Sequence, residues 1–492
     1  MPSPLARKII VWIFLPILLA TAVTEITFRF VAPKYDLTFY SSTLKTAYWA
    51  LPRLVHPSDS SADSWYPMLR GAAAFHTEKS VDIYQATFLN RTIPVMWRPK
   101  FQYPPSSLLP LELLGWTGLL PQDDTRITAV GRPGVKSAGP VVGRAYRILN
   151  GTGAVLYIVN AFLIGILAWM ALRSGREGNG MSAADGGWVA ASAVLASLVF
   201  YPFTQAVNAG QIQTWLNLIL TLSCIAWICN ARAAAGVCMA MICAVKPQLG
   251  LMLLWAILWR DWRFTKGFLL AGIPVAIASL WRYGWANHAA YLRLLSELSR
   301  NGESYAVNAS MNGLMHRLLF NGDNAVWSYA HEIAPFHPLV YGVTLVTSVL
   351  FMAAALGPAL VQRGRTPSIF DFGVGITCFT IGSPVAWDHH YGFLMPFFVL
   401  LLARILAMPP GPPRRTEIAL LVLSWTLVAN SLSVFILFAD SRLNVLESYR
   451  FFGGLMLLAL LLRHGADETV RKDVRAPARD DAPAAGAATA PR

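Results

Sequence analysis

The first group in the sequence that could do chemistry is a carboxylate, Asp63, in the segment SADSWYPMLRGAAAF. After it, Trp65, Met68 and Leu69 recur at spacings that would form the apolar face of a helix lying at a membrane surface. A carboxylate at the start of such a helix serves either as an N-terminal cap or as a general base where lipid meets water. Asp59 competes for the role of base. Both readings stay open.

A second group of titratable residues reads Trp387-Asp388-His389-His390 and lies between two apolar runs. Polar side chains at a tight junction between membrane helices are costly unless they are paired or used. The histidines could protonate or neutralise an anion, orient a partner or bind a metal. The set lacks a clear third or fourth ligand, so we place metal binding below contact with an anion or substrate. An interhelical hydrogen-bond cluster is the structural alternative.

Two short polar motifs interrupt apolar stretches. Lys246-Pro247-Gln248 breaks a run that would otherwise form an over-long helix. The lysine either snorkels to the interface or meets an anionic group, and the proline favours the second because it ends the helix where a ligand could approach. Gly210-Gln211 offers neutral donors and acceptors, although the glycine could equally serve helix packing. Both motifs are therefore candidates for ligand contact.

The segment Asn308–Gly313 is polar and is followed by His316 and Arg317 in a short amphipathic pattern. It could form a loop that reads a sugar through Asn312, with Arg317 near a phosphate. Taken alone, this pattern fits several other functions.

The composition indicates the kind of fold that holds these residues in place. Of 492 residues, 55% are hydrophobic and 13% charged, with a mean hydropathy of +0.47. A soluble domain would have about 25% charged residues, so we expect one polytopic membrane domain over residues 1–463. The net charge of +14 comes from basic residues scattered through short loops, which is typical of topology-setting charge rather than nucleic-acid binding. Arg7 and Lys8 precede an apolar run without a cleavage pattern, which predicts a retained first helix.

The predicted fold is all-α, a bundle of about twelve transmembrane spans, with a range of 11 to 13. The apolar runs are 9–30, 152–172, 187–207, 211–229, 231–245, 248–259, 267–283, 338–361, 369–386, 391–408, 417–439 and 449–462. Lys and Arg in alternate connections predict cytoplasmic termini. Two long loops, about 32–102 and 284–337, would then lie outside and carry interfacial helices. We expect Tyr103–Leu120 to be interfacial or re-entrant, and 464–492 to be a disordered cytoplasmic tail.

Taken in order, these motifs resemble the GT-C superfamily of integral-membrane glycosyltransferases, and more closely glycosyltransferase family 87, which includes polyprenol-phosphate-mannose-dependent mannosyltransferases. The shared marks are Asp63, Tyr103-Pro104-Pro105, Gly210-Gln211, Lys246-Pro247-Gln248 followed by Arg260-Asp261-Trp262-Arg263, the Asn308–Arg317 segment, and Ser383-Pro384 before Trp387-Asp388-His389-His390. No single motif is specific, whereas the ordered set spans roughly residues 60 to 400.

The resemblance implies inverting transfer of a hexose, mannose in the family, from a polyprenyl-phosphate carrier to a hydroxyl of a lipid or glycan. The reaction would take place on the non-cytoplasmic face of a bacterial-type plasma membrane, without a cofactor or a metal. One base suffices, since a phosphate departs without a strong acid. The expected roles are general base for Asp63, with Asp59 as competitor; donor-phosphate contact for Lys246, His390 and Arg317; and orientation of sugar or acceptor for Asp388, His389, Gln211, Gln248 and Asn312.

Two other classes of function fit the composition. A transporter or flippase of a lipid-linked saccharide would also be polytopic, although transporters tend to show repeated halves, and no convincing repeat is visible in this sequence. A non-catalytic subunit of envelope-polysaccharide assembly is the third reading. In this third case the outer acidic and basic residues would be replaceable, whereas an enzyme differs from a transporter in that it cleaves a bond of the donor.

Overall fold

The computed structural model describes residues 3–30, 42–77, 82–89, 99–120, 140–174, 182–324, 333–362 and 364–475. Within these ranges the chain is helical and forms no named strand, in agreement with the predicted all-α class. The only extended pairing among them is an isolated antiparallel bridge between Asn308 and Trp387.

The α-helices are numbered here in chain order. They are α1 Pro4–Phe30, α2 Thr43–Ala50, α3 Trp65–Thr77, α4 Ile83–Ala86, α5 Leu109–Trp116, α6 Pro140–Ser174, α7 Ala183–Val199, α8 Tyr201–Asn208, α9 Gln213–Ile228, α10 Arg232–Cys243, α11 Leu251–Leu258, α12 Trp262–Asn301, α13 Met311–Leu318, α14 Pro338–Val361, α15 Ile369–Ile381, α16 Met395–Leu406, α17 Pro412–Ala429 and α18 Tyr449–Arg475. Short 3₁₀ helices join them, and those at Pro247–Gly250 and Asp388–Leu394 matter most for the site.

The predicted count of twelve membrane spans is not confirmed. In the described part of the chain, six segments are long and apolar enough to cross a membrane: Pro4–Phe30, Arg144–Arg173, Trp262–Asn301, Pro338–Val361, Asp388–Leu406 and Arg442–Ala466. A seventh span results if α7 and α8, which meet at 43°, count as one broken span. Four other predicted runs fold as apolar helices of 10–17 residues. At about 1.5 Å per residue, these are shorter than a membrane core of about 30 Å.

Two of the predicted boundaries fall inside helices. The expected outer loop 284–337 begins inside α12, which continues to Asn301 beyond a break at Gly284 with φ of 72°. The expected tail from residue 464 begins inside α18, which runs to Arg475, and residues 476–492 lie outside the described ranges. Tyr103–Leu120 contains only a 3₁₀ turn and the eight-residue α5, too short to cross a membrane.

The bundle core lies where α9, α11, α12 and α15 meet. The rings of Trp227 and Phe372 stack with centroids 4.9 Å apart, and Phe264 packs edge-on against both. Helix α10 lies so close to α12 that a Cβ at Gly267 would overlap the carbonyl group of Ala233. This close contact holds α10 in place, and the end of α10 leads directly to Lys246.

Candidate active site

Backbone hydrogen bonds hold Asp63 against the Gly210-Gln211 motif. The Asp63 amide donates to the carbonyl oxygen of Ala209 at 3.0 Å, and the Ser61 amide donates to that of Asn208 at 2.9 Å. Gly210 has φ of 63°, and a Cβ on it would overlap the Ser61 carbonyl oxygen. Only glycine fits this close approach and this left-handed conformation without strain. The motif therefore sets the position of the Asp63 backbone.

Side chains strengthen the same junction. The Ser64 hydroxyl donates to Oε1 of Gln211 and lies 2.8 Å from the hydroxyl of Tyr103. The Tyr84 hydroxyl donates to the Tyr103 carbonyl oxygen at 2.8 Å. Burial raises the pKa of Tyr103 to about 12, so its hydroxyl stays protonated at neutral pH. Gln211, which is buried, thus uses its carbonyl oxygen to support the Asp63 loop.

Asp63 is exposed to solvent, although many protein atoms surround its carboxylate. Its surroundings raise its pKa through burial, while a hydrogen bond from Ser61 and attraction to His389 and Lys100 act in the opposite direction. A raised pKa makes a carboxylate a stronger base. The competitor Asp59 instead forms an ion pair with Arg53 at 3.4 Å, and its side chain is 59% exposed.

The histidine pair is close enough to this carboxylate for His389 to interact with it electrostatically. The His389 amide donates to Oδ1 of Asp388 at 2.7 Å, and Nδ1 of His389 lies 3.4 Å from the same oxygen. The rings of His389 and His390 meet edge to face with centroids 4.6 Å apart. His389 interacts electrostatically with both Asp63 and Lys246, and His390 interacts with Lys246. In the described ranges, no three His, Cys, Asp or Glu side chains form a group that could hold a metal ion.

Lys246 lies between α10 and the 3₁₀ helix Pro247–Gly250 and is only 7% exposed. Within the described ranges its amino group has no hydrogen-bond acceptor or carboxylate partner, and its charge acts on the neighbouring His389 and His390. Burial lowers its pKa to about 7. The Ser106 hydroxyl donates to the Ala244 carbonyl oxygen at 2.6 Å, which ties the Tyr103-Pro104-Pro105 segment to this turn.

The family model of glycosyltransferase family 87 matches residues 101–384, more than half of the chain. The chain belongs to glycosyltransferase family 87. No curated protein and no solved structure gives a significant match. The protein is therefore a membrane glycosyltransferase, whose reaction needs a sugar donor and an acceptor. The matched part of this family 87 chain contains Lys246, while Asp63 and the histidine pair lie outside it.

The fold brings some of the residues expected from the sequence together and separates others. Asp63, Lys246, Asp388, His389 and His390 form one electrostatically connected group. We call this group the acid–amine–imidazole cluster. Gln248 is half-buried, two residues after the lysine, on the same turn.

Arg317 and Asn312 form hydrogen bonds to protein atoms behind this cluster. Arg317 is 1% exposed and donates to the Ser448 hydroxyl at 2.8 Å and to the Asn308 carbonyl oxygen at 3.0 Å. Asn312 accepts from the Glu303 amide at 3.1 Å. In the structure these two side chains therefore brace the segment that pairs with Trp387, rather than joining the acid–amine–imidazole cluster.

Two cationic side chains near the cluster, Lys100 and Arg450, were not among the candidates predicted from the sequence. Lys100 interacts electrostatically with Asp63, and its place three residues before the Tyr103-Pro104-Pro105 motif could have indicated this. Arg450 is buried, lies 4.9 Å from the ring centroid of Tyr201 and interacts electrostatically with Asp388. Nothing near Arg450 in the sequence suggests this contact, because it comes from the far end of the chain.

Proposed function

We propose that this protein is an inverting glycosyltransferase that moves mannose from a polyprenyl-phosphate carrier to a hydroxyl of a lipid or glycan. The proposal rests on one observation: Asp63, Lys246, His389 and His390 come from distant parts of the chain and are close enough in the structure to interact electrostatically. A base near amino and imidazole groups that can donate hydrogen bonds to a phosphate matches what this transfer needs, because a hydroxyl loses a proton while a phosphate gains negative charge.

In the proposed step, Asp63 accepts the proton of the acceptor hydroxyl as the hydroxyl oxygen attacks the anomeric carbon of the sugar. The bond from that carbon to the phosphate oxygen breaks on the opposite side, and the phosphate leaves with the bonding electrons. The products are an inverted glycoside and a polyprenyl phosphate, and Asp63 later releases its proton to water. The raised pKa of Asp63 supports this role because it strengthens the base.

Lys246 would contact the donor phosphate. Its amino group is nearly buried and lacks a carboxylate partner within the described ranges, so an incoming phosphate would supply the missing negative charge. Charge-assisted hydrogen bonds of this type are short and strong. His390 would add a second contact to the phosphate, while Asp388 holds His389 beside Asp63.

Gln248 is assigned to the same end of the donor, because it follows Lys246 on one turn. We assign Arg317, Asn312 and Gln211 to supporting roles, since their polar atoms are bonded to neighbouring protein groups. We place the reaction on the non-cytoplasmic face because Lys and Arg in alternate connections predict cytoplasmic termini, and the bacterial-type plasma membrane is what the family resemblance implies.

The test is transfer by the purified protein in lipid nanodiscs, with radiolabelled polyprenyl-phosphate mannose and a lipid extract as the source of acceptor. We expect labelled product together with free polyprenyl phosphate. The Asp63→Asn variant should lose on the order of 10²–10⁴ in rate while still binding the donor. Asp59→Asn is the matched control and should keep near-normal turnover, because its exposed side chain pairs with Arg53.

Two results would contradict the proposal. Near-normal turnover by Asp63→Asn would remove this carboxylate from the mechanism. Movement of intact donor across the membrane, without cleavage of the sugar–phosphate bond, would instead favour the transport of a lipid-linked saccharide.

A further inference from the structure

Trp387 is held in one orientation by a buried carboxylate. Its indole Nε1–H donates to Oε2 of Glu303 at 2.6 Å, and Glu303 is only 6% exposed. Its backbone bridges to Asn308, whose Oδ1 accepts from the Ala386 amide at 2.9 Å. A short hydrogen bond to a charged acceptor is about twice as strong as a neutral one. Backbone and side chain of Trp387 are therefore both fixed.

The indole borders the acid–amine–imidazole cluster. The centroids of the Trp387 and His389 rings are 5.8 Å apart, with the ring planes at 67°. His389 in turn interacts with both Asp63 and Lys246. The tryptophan thus contacts the imidazole that interacts with both the proposed base and the proposed phosphate contact.

Packing alone does not explain this arrangement. Trp387 is only half-buried and belongs to none of the clusters of buried apolar residues in the described ranges. Burying the Glu303 carboxylate carries a desolvation cost that an apolar neighbour would avoid. A half-buried indole that is held in one orientation beside the acid–amine–imidazole cluster is suited to hold a ligand against its ring.

We propose that Trp387 is the platform on which the pyranose ring of the donor stacks, and that Glu303 is a positioning residue that orients the indole. The polarised C–H groups on one face of a pyranose complement the negative face of an aromatic ring. This inference rests on the proposed function and adds to it the residue that recognises the sugar.

The test separates the sugar from its carrier. Dissociation constants of the full-length protein in nanodiscs are measured for polyprenyl-phosphate mannose and for polyprenyl phosphate of the same chain length. In the unaltered protein the mannosyl compound should bind more tightly. Trp387→Leu should weaken binding of the mannosyl compound about 10-fold, as expected for loss of one aromatic contact, and leave binding of polyprenyl phosphate within about twofold.

Two further substitutions distinguish stacking from a structural anchor. Trp387→Phe keeps an aromatic face and loses the bond to Glu303, so it should weaken sugar binding less than Trp387→Leu. Glu303→Ala should raise KM for the donor more than it lowers kcat, and Glu303→Gln should restore much of the loss because its amide oxygen still accepts from the indole.

Three outcomes overturn the inference. Equal weakening of both ligands by Trp387→Leu would mean a general structural role. Equal losses for Trp387→Phe and Trp387→Leu would mean that the anchor matters and the face does not. An unchanged preference for the mannosyl compound in Trp387→Leu would place the sugar elsewhere. By contrast, an unaltered protein that binds neither ligand would contradict the proposed function itself.

Discussion

Replacement of Lys246 by methionine should weaken donor binding and, at the same time, stabilise the fold. Methionine is of similar length and apolar, so it fills the same space without a charge. The amino group of Lys246 is nearly buried, and its pKa is lowered from 10.5 to about 7 by burial. The protonated lysine is therefore disfavoured in the folded protein until an anion reaches it.

The magnitude of the stabilisation follows from this pKa. One pKa unit corresponds to about 1.4 kcal/mol, so the lowered pKa costs the folded state on the order of 4 kcal/mol at pH 7. Between pH 7 and 10.5 the unfolded chain binds a proton that the folded chain does not. The free energy of unfolding therefore rises with pH across that window, as far as it depends on Lys246. Lys246→Met removes the cost and should raise the unfolding temperature in detergent by a few degrees.

The same substitution removes a charge-assisted hydrogen bond to the donor phosphate, worth about 1.5–3 kcal/mol. Affinity for polyprenyl phosphate should then fall about 10- to 100-fold. Both quantities are measured on one preparation, by thermal unfolding and by ligand titration. Lys266→Met is the matched control: this lysine is exposed on α12, and neither quantity should change. A Lys246→Met protein that is less stable and binds donor normally would refute the reasoning.

Two other perturbations test the cluster. Donor affinity should fall as the pH rises through about 7, where Lys246 of the ligand-free protein loses its proton. Lys246→Arg should move this decline to higher pH, because a guanidinium group stays charged. Donor titrations from pH 6 to 9 check this, and identical pH profiles for the two proteins would exclude Lys246 as the titrating group. Gly210→Ala should reduce turnover at least about 10-fold, because its Cβ would overlap the Ser61 carbonyl oxygen and shift Asp63. Initial rates measure this, and Gly342→Ala is the control, since a Cβ at that position meets no neighbour within 4 Å. A normal rate for Gly210→Ala would show that the junction tolerates displacement.

Hydropathy identified the membrane-embedded class, whereas the predicted twelve spans are not confirmed, and particular residues show where the apolar stretches are divided. Helix α9 ends at Ile228 and helix α11 ends at Leu258, and the residues that follow these ends, Asn230 and Arg260, have positive φ. Pro247 starts a further turn at Lys246. Helix ends of this kind divide apolar stretches into helices of 10–17 residues, although each of these stretches was predicted as a full span. At Gly284 the difference is of another kind: α12 continues beyond this residue through a segment whose polar residues predicted a loop.

The sequence by itself determined the membrane environment, the helical class and the chemical groups of the family motifs, because these depend on composition and on short local patterns. It could not decide that Asp63 lies beside His389, since these residues come from opposite halves of the chain. It also could not show that the Arg317 guanidinium donates its hydrogen bonds to the Ser448 hydroxyl and the Asn308 carbonyl oxygen. Only tertiary packing sets these relations, because whether a polar side chain faces a ligand or a neighbour depends on which distant backbone lies within hydrogen-bonding distance.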